Sequence, residues 1–429
     1  MRAAYLTLGC KVNQYDTDAM EEILQAQGYE TVDFSEKADV YVINSCTVTA
    51  MADKKSRQMI HRAYQNNPHA VICVCGCMAQ QNGEKVLQME GVSAVIGTQN
   101  RAMIADIVEQ AKTGQKVNAV KPIRETKEFE RLHITRSQER TRANIKICEG
   151  CDNFCTYCII PFARGPVRSR AVADVVAEAI DLAASGVKEV VLTGIHIGSY
   201  GKDLDSGEKL IDVIEAVSKV AGIARIRLGS MEPSILSREF CERASRVKQL
   251  CPHFHVSLQS GSKGVLKRMN RRYSPEEYAG YINNARDFFI DPAITTDVIA
   301  DFAGETEAEH AETLQFLQDI GFSKIHVFPY SEREGTAAVR IPGPVPKAVR
   351  KERGAQIAKI ADGMTQQYLQ KFLGTTQLVL VEELEEDGRS VGHNERYIPI
   401  RFVGGQPNTI VAVSITAIEG DGLTGQMIN

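Results

Sequence analysis

The chain has 429 residues, 43% of them hydrophobic, and a net charge of -4. This length predicts about three domains of ordinary size, and the slight acidic excess argues against nucleic-acid binding through overall electrostatics, although a local basic surface remains compatible with it. The N-terminus has no basic leader ahead of a long apolar stretch, and no apolar run approaches membrane-spanning length. We therefore expect a cytoplasmic protein without a membrane association.

The first unit alternates short β-branched runs with helical patterns, which is typical of a parallel α/β domain. The strand candidates are AAYLTL, ADVYVIN and HAVICVC, and the helical patterns that follow them cover residues 13–27, 50–65 and 79–89. We assign this domain to residues 1–120.

Three cysteines of this domain share one position relative to the strands. Cys10, Cys46 and Cys77 each follow a predicted strand by about two residues. Because the carboxyl ends of parallel strands share one edge of a sheet, the three thiols should converge there, next to small residues that let a bulky group approach. The alternative is that they are ordinary buried cysteines, since free cysteine is among the most buried residue types.

A basic connector follows over residues 121–142. Between Lys121 and Lys146 the chain carries eight Lys or Arg against four Glu. Such a run either contacts phosphates or forms a solvated face.

Six further strand candidates between residues 143 and 345 predict a partial barrel of the TIM type, with its site at the carboxyl ends of the strands. They are ANIKIC, EVVLTG, RIRLGS, HFHVSLQS, ITTDVIAD and KIHVFPYS. A linking helix should then occupy residues 346–373. Residues 374–429, with DG and GG turns between short strands, predict a small antiparallel β-domain.

The motif CDNFCTYC carries the strongest chemical signal, because Cys151, Cys155 and Cys158 stand at C-x3-C-x2-C spacing after a strand. Three thiolates can hold three irons of a 4Fe-4S cluster and leave the fourth iron open to bind and reduce S-adenosylmethionine (SAM). A structural zinc site is the alternative, but it requires paired cysteines, and no second pair follows. Eleven cysteines, an odd number, also favour metal chemistry over disulfides in a reducing compartment.

The whole chain resembles the methylthiotransferase family of radical SAM enzymes. The likeness rests on LGCKVNQYD, NSCTVT, CGCMAQ and GCDNFCTYCIIPFARGPVRSR, followed by LTGIHIGSYG, SLQSGS and FPYSEREGTA. Within the family, TLGCKVNQYD resembles most the branch that acts on N6-threonylcarbamoyladenosine at tRNA position 37. The resemblance implies an α/β architecture with an N-terminal methylthiotransferase domain, a (βα)6 radical SAM barrel and a C-terminal TRAM β-barrel.

The same resemblance implies two 4Fe-4S clusters and SAM as cofactors. An auxiliary cluster would lie on Cys10, Cys46 and Cys77, and the radical SAM cluster on Cys151, Cys155 and Cys158. The implied reaction is methylthiolation of carbon 2 of the adenine, with the tRNA anticodon loop as partner and an external electron donor of flavodoxin or ferredoxin type. The sulfur source stays open.

Four residues are candidates for contacts with SAM. The resemblance places Tyr157 beside the adenine and Gly194 near the SAM amino group. Ser257 and Gln259 alternate along one strand, so both side chains should face the barrel interior. Tyr157, Ser257 and Gln259 are also compatible with simple packing.

Candidate tRNA contacts are the basic residues near the cluster loop. They are Arg164, Arg168 and Arg170 in RGPVRSR, together with Lys267, Arg268, Arg271 and Arg272 in KRMNRRY, and we expect them to contact phosphates. The last domain fits this role poorly, because it carries eight acidic residues against three arginines.

Two residues depart from the family pattern, and three alternative functions remain open. DFAGETE has Asp301 and Ala303 where the family usually has Gly and Pro, which puts the geometry of that loop in doubt. The same chemistry on isopentenyladenosine or on a ribosomal protein would give similar motifs. An iron-sulfur electron carrier without substrate chemistry is the more distant alternative.

Overall fold

The computed structural model describes residues 1–135 and 141–428. The basic connector expected over residues 121–142 falls partly on residues 136–140, which lie outside the described residues. Among the residues that are described, no helix has the length and apolar character needed to cross a bilayer.

The first domain is a parallel sheet of six strands in the order β2-β1-β3-β4-β5-β6. Its elements are β1 (Arg2–Thr7), α1 (Lys11–Ala26), β2 (Glu30–Val32), β3 (Val40–Ser45), α2 (Ala50–Asn66), β4 (Val71–Gly76), α3 (Cys77–Leu87), β5 (Val92–Val95), α4 (Ile104–Lys112) and β6 (Val117–Asn118). The three predicted strands are confirmed as β1, β3 and β4.

The sheet of this domain is covered on both faces. Every residue of β3 and β4 is buried, and alternate side chains enter two separate hydrophobic clusters: Val40 and Val42 lie in one, Tyr41 and Ile43 in the other. Continuous apolar runs are what a parallel strand between two helical layers requires.

The second domain contains the six predicted parallel strands. Its elements are β7 (Arg142–Glu149), α5 (Ile160–Arg164), β8 (Arg168–Ser169), α6 (Val172–Ala184), β9 (Glu189–Gly194), α7 (Leu210–Val217), β10 (Arg225–Leu228), α8 (Arg238–Ala244), β11 (His253–His255), α9 (Lys263–Arg268), α10 (Pro275–Phe288), β12 (Ala293–Ala300), α11 (Glu307–Ile320) and β13 (Lys324–Pro329).

These strands form a partial barrel. One sheet has the order β10-β9-β7-β8, with β8 antiparallel on the free edge of β7, and the other has the order β11-β12-β13. Isolated parallel bridges, Ile226 with Leu250 and Met231 with Val256, connect the two sheets from β10 toward β11. In the described part of the chain no ladder joins β13 back to β7, so the barrel stays open on that side.

The third unit is a closed five-stranded barrel reached through the helix α12 (Lys347–Gln370). Its strands are β14 (Thr376–Leu384), β15 (Arg389–Asn394), β16 (Pro399–Val403), β17 (Ile410–Glu419) and β18 (Gly422–Met427). The predicted strands correspond to β14, β16 and β17. The pattern missed β15 and β18, whose sequences RSVGHN and GLTGQM contain glycine and few β-branched residues.

Candidate active site

The structure brings Cys10, Cys46 and Cys77 to one edge of the first sheet. Cys10 is the exposed N-cap of α1, Cys46 directly follows β3, and Cys77 is the buried first residue of α3. A Cβ placed on Gly9 would lie only 3.2 Å from the Cys46 Sγ atom, so the loops that carry Cys10 and Cys46 are in close contact. The expected convergence of the three cysteines is therefore present.

The ionisation of these thiols is linked. Burial raises the pKa of Cys77 to about 11, Arg164 opposes this, and the neighbouring Cys10 and Cys46 raise it further. Burial also raises the pKa of Cys46, against hydrogen bonds that the backbone N–H groups of Val48 and Thr47 donate to its sulfur. Backbone donors directed at a cysteine sulfur are a common feature of iron-sulfur sites.

A buried ionic network, which we call the interdomain network, lies beside this edge and joins the first two domains. It consists of the cations Arg101, Lys146 and Arg164 and the anions Asp16, Glu130 and Glu149. The Arg164 Nη1 atom lies 3.2 Å from Asp16 Oδ2 and 3.0 Å from Glu149 Oε2, and its Nε atom donates to the Cys77 Sγ atom at 3.3 Å. One guanidinium thus connects the barrel to a cysteine of the first domain.

The charges of this network reinforce each other. Burial would raise the pKa of Glu149, but the positive charges of Arg164, Lys146 and Arg101 outweigh it and hold that pKa well below its usual range. Glu149 therefore stays ionised at neutral pH inside the domain interface.

The tRNA contacts predicted for Arg164, Arg168 and Arg170 are contradicted by their burial. Arg168 donates to the carbonyl oxygens of Pro166 and Arg164, and Arg170 is paired with Glu178. Guanidinium groups that are buried and bonded to carboxylates and carbonyls inside the protein cannot be reached by a phosphate at the surface. The positive run in RGPVRSR holds the domain interface and the cluster loop in place.

The second group of cysteines lies in the loop between β7 and α5. Burial raises the pKa of Cys151 to about 11 and that of Cys158 to about 12, and both are also raised by the thiol of Cys155. The backbone N–H groups of Asn153 and Ile160 donate to the sulfurs of Cys151 and Cys158. The loop therefore presents three neighbouring thiols together with backbone donors.

An arginine also contacts this second group. The Arg271 Nη1 atom donates to the Cys155 Sγ atom at 3.4 Å and lies 3.3 Å from the Glu232 carboxylate. Glu232 also accepts a hydrogen bond from Asn153 at 2.7 Å and lies 3.1 Å from His196. The phosphate contact expected for Arg271 is thus wrong, since its side chain is 6% exposed and bonded within this cluster.

Sequence reasoning missed the residues Glu232 and His196 beside the cysteine loop. The available signal was their position, because each follows a barrel strand by two to four residues, at the carboxyl edge where the site was expected. It did not single them out, since many charged residues share such positions.

The expected SAM contacts are placed around the same loop. Tyr157 packs edge-on against Phe302, with ring centroids 6.2 Å apart. A Cβ at Gly194 would lie 2.4 Å from the Cys148 Sγ atom, so packing of β9 on β7 by itself requires glycine there. Ser257 and Gln259 follow β11, and in the described part of the chain their side chains form no hydrogen bond. Their roles toward SAM stay predictions.

Both cysteine groups fit an iron-sulfur cluster in their donor chemistry. All eleven cysteines are free thiols. Within the described residues, no three His, Cys, Asp or Glu side chains are arranged around a single metal ion. In a 4Fe-4S cube each thiolate binds a different iron, so three thiols need only surround the cube.

Three family models match the chain: the uncharacterized protein family UPF0004 over residues 2–97, the radical SAM superfamily over residues 145–317 and the TRAM domain over residues 370–428. The threonylcarbamoyladenosine tRNA methylthiotransferase MtaB of Bacillus subtilis (strain 168) is 42% identical over 94% of this chain and 90% of its own length. The tRNA-2-methylthio-N(6)-dimethylallyladenosine synthase of Pelotomaculum thermopropionicum is 34% identical over 98% of this chain and 96% of its own length.

Solved structures support the fold. The radical S-adenosylmethionine methyltransferase TsrM from Kitasatospora setae, with cobalamin and a [4Fe-4S] cluster bound, superposes with a TM-score of 0.57 at 14% identity. That match covers 76% of this chain and 74% of the other. The comparison extends the likeness beyond the barrel, into a second domain.

Proposed function

Because the chain belongs to the radical SAM family of tRNA methylthiotransferases, we propose that it methylthiolates carbon 2 of N6-threonylcarbamoyladenosine at position 37 of tRNA. The observation that carries the proposal is the pair of cysteine groups, each at the carboxyl edge of a parallel sheet and each contacted by a buried arginine. Four relatives with the threonylcarbamoyladenosine name are 33–42% identical to the chain.

In this proposal Cys151, Cys155 and Cys158 hold the radical SAM cluster. Cys10, Cys46 and Cys77 hold the auxiliary cluster. When bound, these clusters together with SAM supply the one-electron and group-transfer chemistry. Arg271 and Arg164 then serve as hydrogen-bond donors to a ligand sulfur of each cluster, which stabilises the thiolate form.

The first domain and the barrel are held together from two sides of the cysteine edge. The interdomain network is one contact. On the other side of the edge, Arg333, which follows β13, pairs with Asp53 at 3.1 Å. It also donates a hydrogen bond at 2.5 Å to the Oγ1 atom of Thr47, the residue next to Cys46. The Ala50 N–H also donates to Ser331 Oγ at 3.4 Å. In the proposed reaction, contacts on both sides hold the first domain against the barrel, so that the bound adenine can meet both clusters.

For SAM itself we propose contacts from Tyr157, Gly194, Ser257 and Gln259, which surround the second cysteine group. The anticodon loop of tRNA is the proposed macromolecular partner, and a flavodoxin or ferredoxin is the proposed electron donor. The TRAM-type barrel supports an RNA partner.

Dimethylallylated adenosine is the second candidate substrate. The observation that favours it is a group of relatives named for that reaction, which are 32–34% identical over at least 98% of the chain.

The test is anaerobic reconstitution followed by reaction with two tRNAs that differ only in the substituent on adenine 37. Nucleoside mass spectrometry should detect the 2-methylthio product on the threonylcarbamoyl substrate. The Cys46→Ala variant should still cleave SAM but form no methylthio product, whereas Cys73→Ala, a buried strand cysteine, should behave as wild type. Product only on the dimethylallyl substrate would reject the proposed nucleoside.

A further inference from the structure

A cavity of about 390 Å³ lies between the barrel, α12 and the C-terminal β-barrel. Its walls come from β11, β12 and β13, from α12, from the C-terminal barrel and from the start of α1. Seven basic or imidazole side chains line it: Lys11, His253, His255, Lys324, His326, His393 and Arg396. Lys11 directly follows Cys10, so one wall of this cavity is continuous with the edge that carries the first cysteine group.

Two of the lining cations are not neutralised by a carboxylate. Lys324 is paired with Asp421 at 2.7 Å. Arg396 instead donates to the backbone carbonyls of Ile290 and Asp291 at 2.8 and 2.9 Å. In the part of the chain that the structure describes, the Lys11 ammonium has no hydrogen bond and no ion pair. The cavity therefore retains positive charge that a bound anion would neutralise.

The carboxylate that attracts the Lys11 ammonium belongs to Glu189, which is already paired with two arginines. Glu189 lies 3.1 Å from Arg142 and 2.8 Å from Arg227. Both arginines are electrostatic neighbours of Lys11 and repel its charge. Glu189 thus bonds to two other cations, and within the described residues no carboxylate lies at ion-pair distance from Lys11.

A buried histidine with one ring nitrogen that forms no hydrogen bond is part of the wall of the same cavity. His253 is 8% exposed, and its Nδ1 atom has no hydrogen-bond partner. Its ring stacks on Tyr397 of the C-terminal barrel at 5.4 Å between centroids, and Tyr397 stacks on His393 at 4.4 Å. Burial and the charge of Arg227 hold the pKa of His253 well below its usual range, so the ring is neutral, and its Nε2 atom lies 3.4 Å from Thr295 Oγ1.

We propose that this cavity receives a carboxylate-bearing side chain of the substrate base, with Lys11 as the contact for the carboxylate. This inference rests on the proposed function, because the threonylcarbamoyl group ends in a carboxylate and a hydroxyl. It makes Lys11 a specificity-determining residue.

The cavity should prefer the threonylcarbamoyl group to the dimethylallyl group because the free-energy cost of burying each beside Lys11 differs. A carboxylate supplies an acceptor for Lys11, whereas a dimethylallyl group would leave the ammonium without a partner in a confined space. Sites built around a polar substrate group reject analogues that lack it more strongly than apolar pockets reject polar ones.

The experiment compares three anticodon stem-loops, bearing the threonylcarbamoyl group, its methyl ester or the dimethylallyl group. Wild-type enzyme and the variants Lys11→Met, Lys11→Arg and Lys219→Met are assayed for kcat/KM and for equilibrium binding. Lys219 is an exposed lysine outside the cavity, so its variant controls for loss of a charge. Iron content and SAM cleavage without tRNA are measured for each protein, because Lys11 adjoins Cys10.

Wild type should lose roughly 10- to 100-fold in binding and in kcat/KM on the ester, the range expected when a charged hydrogen bond is removed. Lys11→Met should lose as much on the acid and little more on the ester, while Lys11→Arg and Lys219→Met keep the preference for the acid. Equal activity of wild type on acid and ester would overturn the cavity assignment while leaving the proposed function standing. Loss of iron from Lys11→Met, with its acid preference intact, would also overturn it. Product on the dimethylallyl stem-loop alone would reject the proposed function itself.

Discussion

Replacing Asp301 with glycine should stabilise the barrel. Asp301 directly follows β12 and has a φ of +62°, in the left-handed region that favours glycine. Its side chain is fully buried, neither carboxylate oxygen has a hydrogen-bond partner, and the nearest cation, Arg353, lies 3.6 Å away. The Asp301 carboxylate is therefore buried without a hydrogen bond on a left-handed backbone.

The size of the effect follows from three contributions. Relief of the left-handed backbone contributes about 1 kcal/mol. Removal of a buried polar group without partners contributes about 1–3 kcal/mol. The greater freedom of glycine in the unfolded chain opposes these by about 0.5–1 kcal/mol. The net gain is about 1–3 kcal/mol, and each kcal/mol raises the melting temperature of a unit this size by about 2–4 °C.

Scanning calorimetry of the cluster-free protein tests this with three variants. Asp301→Gly removes both the charge and the backbone strain, Asp301→Asn removes the charge in a residue that tolerates this conformation, and Asp301→Ala removes the charge but keeps the Cβ atom. The melting temperatures should rank glycine first, asparagine second and alanine third. A glycine variant that melts below wild type would show that Arg353 stabilises the carboxylate by more than the strain and burial cost.

The same loop sets a pH dependence. Burial and the charge of Asp301 raise the pKa of Glu305 to about 7, above the 4.5 of an unperturbed glutamate. The folded state then holds a proton that the unfolded state has lost, so stability is full below pH 4.5 and falls as pH rises toward 7, by about 3 kcal/mol for such a shift. Asp301→Gly should lower this pKa and flatten the decline. An unchanged slope in the variant would refute the coupling.

Three further changes are expected to have distinct outcomes. Cys46→Ala should halve the iron bound per chain in anaerobic preparations, since only one of the two cysteine groups is lost; full iron content would remove Cys46 from the ligand set. Arg164→Met should lower stability by about 3–5 kcal/mol in urea unfolding, because Asp16 and Glu149 lose a buried partner; a loss below about 1 kcal/mol would refute that. Gly194→Ala should reduce stability even without SAM, because its Cβ would meet a sulfur at 2.4 Å; unchanged melting would leave SAM binding as the reason for glycine.

The fold was predictable wherever hydrophobic patterning decides it. The three longest strands of the first domain and all six parallel barrel strands were found, because each is a run of β-branched or apolar residues followed by a helical pattern. The strands that were missed in these two domains, β2, β5, β6 and β8, have only two to four residues. So short a segment carries too little periodicity to separate it from a loop.

The position of the three cysteines at the edge of the first sheet could be predicted from the sequence for a geometric reason. In a parallel sheet the carboxyl ends of successive strands are neighbours whatever the intervening sequence, so Cys10, Cys46 and Cys77 could be brought together from strand positions alone. Their side-chain partners could not, because Arg164 reaches Cys77 across a domain interface from 87 positions away. No local pattern encodes such a contact.

The misassigned arginines show where reading charge from sequence fails. Arg164, Arg168 and Arg170 form a positive run only along the chain; in space Arg164 faces Asp16 and Glu149, and Arg170 faces Glu178. Lys11, by contrast, is a single lysine within no basic run, yet among the residues that the structure describes it has no paired carboxylate. A cation can bind an external anion only if the fold leaves it uncompensated. The surface that contacts substrate therefore has to be sought among such unpaired cations, and the cavity beside Cys10 is where the structure supplies one.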